Sequence, residues 1–154
     1  MFTVCAEQRL RAPGPRVWEV VQDLGGHHRF NPLIESTIIT NDVPVGEGAE
    51  REVRLYDGSS MCQRIVDYQP GRSMIIEVIE SEHWVRHYVI EISVEPESED
   101  SCVLAYRVSF QMPLGWLGYP LGLIYKPLLR SRYNHMLRGL ERYVLTGQPR
   151  VLVR

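Results

Sequence analysis

The 154-residue sequence predicts an α+β fold: a seven-stranded antiparallel sheet wrapped around a long C-terminal helix, with two short helices after strand 1. Three observations carry this. Hydrophobic spacing runs at two residues over most of the chain and turns helical after the first strand and again at the end. The strand-like runs are joined by tight turns such as Asp57-Gly58 and Pro70-Gly71, which suit antiparallel neighbours rather than crossover connections. The final apolar stripe, on Leu129, Tyr133, Met136, Leu137, Leu140 and Val144, steps like one face of a long helix.

Taken in order, Phe2, Val4, Ala6 and Leu10 alternate with Thr3, Cys5, Glu7 and Arg9 as a half-buried strand, with Gln8 the exception. Pro13-Gly14-Pro15 then opens a helix, because a proline near a helix start gives up only an N–H that would have no partner there. Val17, Val20, Val21 and Leu24 form the inner face of that helix, and Gly25-Gly26 end it. A short helical or irregular piece follows over 27–32. Strands are expected over 33–40, 49–57, 60–68, 73–80, 84–94 and 102–112, with 95–101 as an acidic loop. The last helix covers at least 130–143 and stops at Gly147 and Pro149. A twisted sheet of this size curls around the helix, and the space between them need not fill, which is where a cavity would lie.

Composition narrows the function. With 44% hydrophobic and 23% charged residues the chain is neither disordered nor fibrous, and 1–154 reads as one domain. A net charge of −2 argues against a general nucleic-acid binder. Cys5, Cys62 and Cys102 are odd in number and widely spaced, which suits neither a disulfide framework nor a zinc site. The first residues lack a basic region followed by an apolar run, so the expectation is a cytoplasmic protein. The weakly polar stretch 112–129 is broken by Pro113, Pro120, Lys126 and Pro127 and is too short to span a bilayer. Charge is uneven: residues 113–154 carry seven basic groups against Glu141 alone, while 1–112 is strongly acidic. Either a basic helix lies over an acidic sheet, or the segment meets an anionic ligand, a membrane surface or an acidic partner.

Several local motifs resemble the helix-grip superfamily of START-like and birch-pollen-allergen-like (SRPBCC) domains, nearest its bacterial polyketide cyclase/dehydrase and lipid-transport branch. They are Ala12-Pro13-Gly14-Pro15-Arg16-Val17-Trp18 running on to Leu24, Phe30-Asn31-Pro32, Val45-Gly46-Glu47-Gly48-Ala49, and Arg64-Ile65-Val66-Asp67-Tyr68-Gln69-Pro70-Gly71 running on to Met74. The likeness covers nearly the whole chain and implies a helix-grip fold. It implies no single activity, since that superfamily holds carriers, cyclases, hydroxylase subunits and chaperone-associated domains.

No metal site is expected. His83 and His87 are four apart in a strand, roughly 13 Å between Cα atoms, and adjacent His27-His28 point apart. No phosphate loop, nucleophile elbow or cofactor motif is present, so no cofactor is expected. What stands out is polarity on inward faces. Trp84, Arg86, Tyr88, Ile90, Ile92 and Val94 share one face of their strand, and Leu104, Tyr106, Val108, Phe110 and Met112 one face of the next. Tyr133 and Met136 would close the other wall, with Phe30 nearby. An inward Arg86 needs a partner, either a carboxylate such as Glu77 or the polar end of a ligand; alternatively it reaches solvent at the rim. The segment 113–125, rich in Gly and aromatics, is either a buried connection or a mobile lid, and 113–132 is a candidate for transient membrane-surface contact.

Three readings follow. The first is a carrier for a small hydrophobic or amphipathic molecule (lipid, quinone or polyketide-like), bound by Phe30, Trp84, Arg86, Tyr88, Tyr106, Phe110, Met112, Tyr133 and Met136. The second is an aromatase/cyclase or dehydratase-type enzyme on a polyketide-like substrate, and the third a protein-interaction module with a filled core. A monomer and a homodimer are both compatible with the sequence.

Overall fold

The computed structural model describes residues 1–82 and 86–147, with the backbone alone described at Arg86. The element order is β1 (Phe2–Leu10), α1 (Gly14–Gln22), a 3-10 turn (Leu24–Arg29), then β2 (Ile34–Ile39), β3 (Glu50–Leu55), β4 (Ser60–Gln69), β5 (Ser73–Ser81), β6 (Arg86–Ser98) and β7 (Ser101–Gln111). A second 3-10 turn (Gly115–Gly118) leads into α2 (Tyr119–Thr146). The strands form one seven-stranded sheet in the order β1-β7-β6-β5-β4-β3-β2, every neighbouring pair antiparallel. With α2 gripped by this sheet, the architecture is the helix-grip fold.

Alternation decides the inner face. Val4, Ala6 and Leu10 of β1, Met74 and Ile76 of β5, Ile90, Ile92 and Val94 of β6, and Leu104, Val108 and Phe110 of β7 are buried. They meet Leu129, Tyr133, Met136, Leu137, Leu140 and Val144 of α2, the stripe legible in the sequence. Each fully buried side chain of this size contributes roughly 1.5–3 kcal/mol. Gly122 brings α2 close to β1, because a Cβ there would overlap the ring of Phe2. Gly147 ends the helix in the left-handed conformation (φ 69°) and donates its N–H to the Tyr143 carbonyl at 2.7 Å.

Four expectations are corrected. The inner face of α1 is Gly14, Val17, Trp18 and Val21, with Val20 only half-buried. The helix is rotated so that Trp18 packs against Tyr68, ring centroids 5.8 Å apart. The acidic loop over 95–101 is mostly strand. β6 runs on to Ser98, with Pro96 opposite Cys102 beside a bulge, where a missing N–H is tolerated. Pairing with β7 outweighs the local composition there.

Residues 113–125 are no buried connection. They form the second 3-10 turn and the first turns of α2, largely exposed. Pro120 sits at the helix start, and Pro127 lies inside the helix. Finally, a one-residue bulge between Arg86 and Val89, with His87 at φ 50°, interrupts the alternation that placed Arg86 and Tyr88 on one face.

Candidate ligand-binding site

A cavity of about 350 Å³ lies between α2 and the half of the sheet formed by β3 to β6. That is within the ~300–1,000 Å³ usual for small-molecule pockets. Alternation on two neighbouring strands builds its wall: Arg51, Val53 and Leu55 of β3 and Met61 and Gln63 of β4 all line it. Tyr125, Leu129, Arg132 and Tyr133 of α2 close the opposite side, with Tyr88 and Ile90 of β6 between. Asn31, Pro32 and Leu33 from the loop before β2, and Tyr56 and Asp57 from the β3–β4 turn, complete the rim.

The wall is mainly apolar, and its polar groups are few and placed. Arg51 and Gln63 are register partners across β3 and β4, and they are 2% and 4% exposed. Arg51 donates from Nε to Gln63 Oε1 at 2.8 Å and from Nη1 to the Leu24 carbonyl at 2.9 Å. No carboxylate pairs with it among the described residues. Burial lowers its pKa to about 10, opposed by the nearby Tyr106 and Tyr133, so the guanidinium stays charged at neutral pH. A buried charge without a counter-charge is costly unless something electron-rich completes its shell.

Beside it, the hydroxyls of Tyr88 and Tyr133 share a hydrogen bond at 2.9 Å. Burial pushes both phenols above their ordinary range, so both are protonated donors at neutral pH. The Tyr106 ring packs tilted against that of Tyr133, centroids 5.7 Å apart, and its buried hydroxyl finds no partner among the described residues. Beneath Arg51, His27 is fully buried and pairs through Nε2 with the Val21 carbonyl at 2.6 Å. Its pKa falls to about 3, first from burial and then from the charge of Arg51, which keeps the imidazole neutral.

Of the residues the sequence put forward, Tyr88 and Tyr133 line this cavity. Phe30, Tyr106, Phe110, Met112 and Met136 are buried in the packed core and do not line it. Trp84 lies outside the described residues, as does the side chain of Arg86. Glu77, the carboxylate considered as a partner for Arg86, is exposed on β5. The deeply placed arginine is Arg51, and its signal was present: Ala49, Arg51, Val53 and Leu55 alternate with Glu50, Glu52, Arg54 and Tyr56. Among the described residues no group of three or more His, Cys, Asp or Glu side chains could hold a metal ion. None of the helices in that part of the chain is long and apolar enough to cross a membrane.

The sequence model of the family described as polyketide cyclase / dehydrase and lipid transport matches residues 1–145. No curated protein matches the chain. Among solved structures, an aromatase/cyclase from a Streptomyces species superposes with a TM-score of 0.75 at 19% identity, covering 95% of this chain and 97% of that one. A START superfamily protein from Mycobacterium smegmatis gives 0.76 at 16% identity, over 95% and 99% of the two chains. A norcoclaurine synthase from Thalictrum flavum, in complex with a transition-state analogue, gives 0.71 at 18%, over 95% of each chain. At these identities the likeness speaks to the fold alone.

Proposed function

Since the chain belongs to the polyketide cyclase / dehydrase and lipid transport family, we propose that it binds a small amphipathic molecule in the cavity between sheet and α2. The apolar body lies against Val53, Leu55, Ile90 and Leu129, and the electron-rich end meets Arg51. The observation that carries this reading is Arg51 itself: a buried guanidinium on a cavity wall, held by Gln63 and Leu24 but paired with no carboxylate among the described residues. A carboxylate, enolate or polarised carbonyl would supply the missing electron density, and the Tyr88–Tyr133 pair offers neutral donors to the same end. Driving force for the rest comes from apolar burial.

The test compares a medium-chain fatty acid with its methyl ester by calorimetric titration. The acid should bind the wild type more tightly than the ester, and Arg51→Met should remove that preference. Equal affinity of acid and ester in the wild type would overturn the anchoring role, whatever the stability of the variant. Native mass spectrometry of freshly purified protein would identify any molecule carried through purification.

A second reading, a cyclase or dehydratase, draws on the same hydroxyl pair as proton donors to a bound carbonyl. Among the described lining residues Asp57 is the one carboxylate; it is exposed and accepts from Ser59 N–H and Oγ–H at the β3–β4 turn. That arrangement favours binding over proton abstraction. The interaction-module reading supposes a filled core, and the cavity weighs against it.

A further inference from the structure

We propose that the second 3-10 turn and the first turns of α2 form a docking surface for an anionic lipid bilayer. The surface is apolar where a water-facing helix start should be polar: Leu114 is 73%, Trp116 83% and Ile124 70% exposed, and Leu117, Leu121 and Leu128 are about half exposed. At 3.6 residues per turn, Leu121, Ile124 and Leu128 fall within an arc of roughly 60° on the side of α2 turned away from the sheet. Trp116 and Leu117, in the turn that leads straight into this helix, add further exposed apolar side chains, and a concentration of large exposed apolar side chains marks an interaction surface.

Charge names the partner. No Asp or Glu occurs from residue 113 to 140, whereas Lys126, Arg130, Arg132 and Arg138 all do. All four are exposed, and none forms a salt bridge among the described residues. Lys126, Arg130 and Arg138 border one shallow groove together with Asn134 and Ser131. Arg132 stands on the other flank, at the cavity rim. An apolar ridge with a basic margin on both sides is the pattern of a helix lying in a bilayer interface, its apolar side chains among acyl chains and its cations at the headgroups. A second copy fits less well, since a two-fold contact through this ridge would bring the basic margins of both copies together.

The same helix lines the cavity through Tyr125, Leu129 and Arg132, so docking would set the rim beside the bilayer. The proposal stands on the surface alone and does not depend on what the cavity holds.

The experiment is co-flotation with vesicles of phosphatidylcholine alone and of an equimolar mixture with phosphatidylglycerol. Binding should favour the anionic vesicles and fade with salt. Lys126→Gln and Arg138→Gln should each weaken it about five-fold. Ile124→Ser with Leu128→Ser, both at exposed positions, should weaken it by at least about ten-fold while leaving the fold intact by circular dichroism. Vesicles with brominated acyl chains should quench Trp116 emission, and Trp116→Phe should lose that signal. Failure to bind anionic vesicles at low salt would overturn the proposal, as would binding indifferent to the Ile124/Leu128 pair. So would a dimer in sedimentation velocity that the same pair dissolves, which would assign the ridge to a second copy.

Discussion

Arg51 and Gln63 sit opposite each other in the register of β3 and β4, and the guanidinium Nε donates to the Gln63 side-chain oxygen at 2.8 Å. One end of Arg51 thereby ties the sheet to the 3-10 turn through the Leu24 carbonyl, while its side chain contributes to the cavity wall. The pair is at once a brace and a ready-made recognition point.

Replacing Arg51 by Met separates those roles. Hydrogen bonds to charged groups contribute roughly 1.5–3 kcal/mol, so affinity for a fatty-acid carboxylate should fall about 10- to 150-fold. The unpaired Leu24 carbonyl and Gln63 amide should cost about 1–3 kcal/mol each of folding stability. Titration reads the first effect and urea unfolding the second.

Tyr88 and Tyr133 should behave as a coupled pair. Tyr133→Phe takes the partner from the half-buried Tyr88 hydroxyl and should destabilise the protein by about 1 kcal/mol. Adding Tyr88→Phe should cost little more, because the orphaned group is then gone. Strictly additive losses in denaturant unfolding would show that the two hydroxyls do not depend on each other.

Tyr106→Phe should have the opposite sign. Its hydroxyl is buried without a partner among the described residues, so removing it should leave the unliganded protein as stable as before or up to about 1–2 kcal/mol more so. A thermal melt with no ligand added checks this; a clear drop in melting temperature would mean the hydroxyl is satisfied in solution.

His27 predicts acid sensitivity. Its folded pKa of about 3 lies below the unfolded value of 6.5, so above pH 6.5 the group adds no pH dependence. As pH falls below 6.5 the unfolded chain takes up a proton that the folded chain refuses, and stability drops by about 1.4 kcal/mol per pH unit down toward pH 3. Between pH 7 and 5 the loss from this group should be about 2 kcal/mol. His27→Gln should flatten that part of the profile in urea unfolding; an unchanged slope would mean that His27 protonates freely in the folded state.

Local pattern was enough to read most of the frame. Two-residue alternation marked β1 and β7 almost to the residue, and the stripe from Leu129 to Val144 marked the buried face of α2. Where pattern fell short, the cause was contact with something distant. Pro96 and its acidic neighbours look like a loop until β7 is there to pair with them. The bulge before Val89 is invisible in composition, so the alternation drawn through Arg86 could not be trusted past it. For 113–125 the pattern left a buried connection and a lid both open, and only the packed helix shows that Leu121 and Ile124 are exposed while Gly122 of the same turn meets Phe2 of β1.

The cavity divides along the same line. The sequence by itself determined that an antiparallel sheet would close on one amphipathic helix, since period, turn chemistry and helix stops are local properties of the chain. It also carried Arg51 on the apolar face of its strand. Tertiary structure alone decided where the core fills and where it stays open. Phe30, Tyr106, Phe110 and Met136 are buried in the packed core, while Arg51, Tyr88 and Tyr133 border the open space between the sheet and α2. Which inward side chains touch each other and which face a void depends on how far the sheet curls, and that distance is a sum over the whole packed interface.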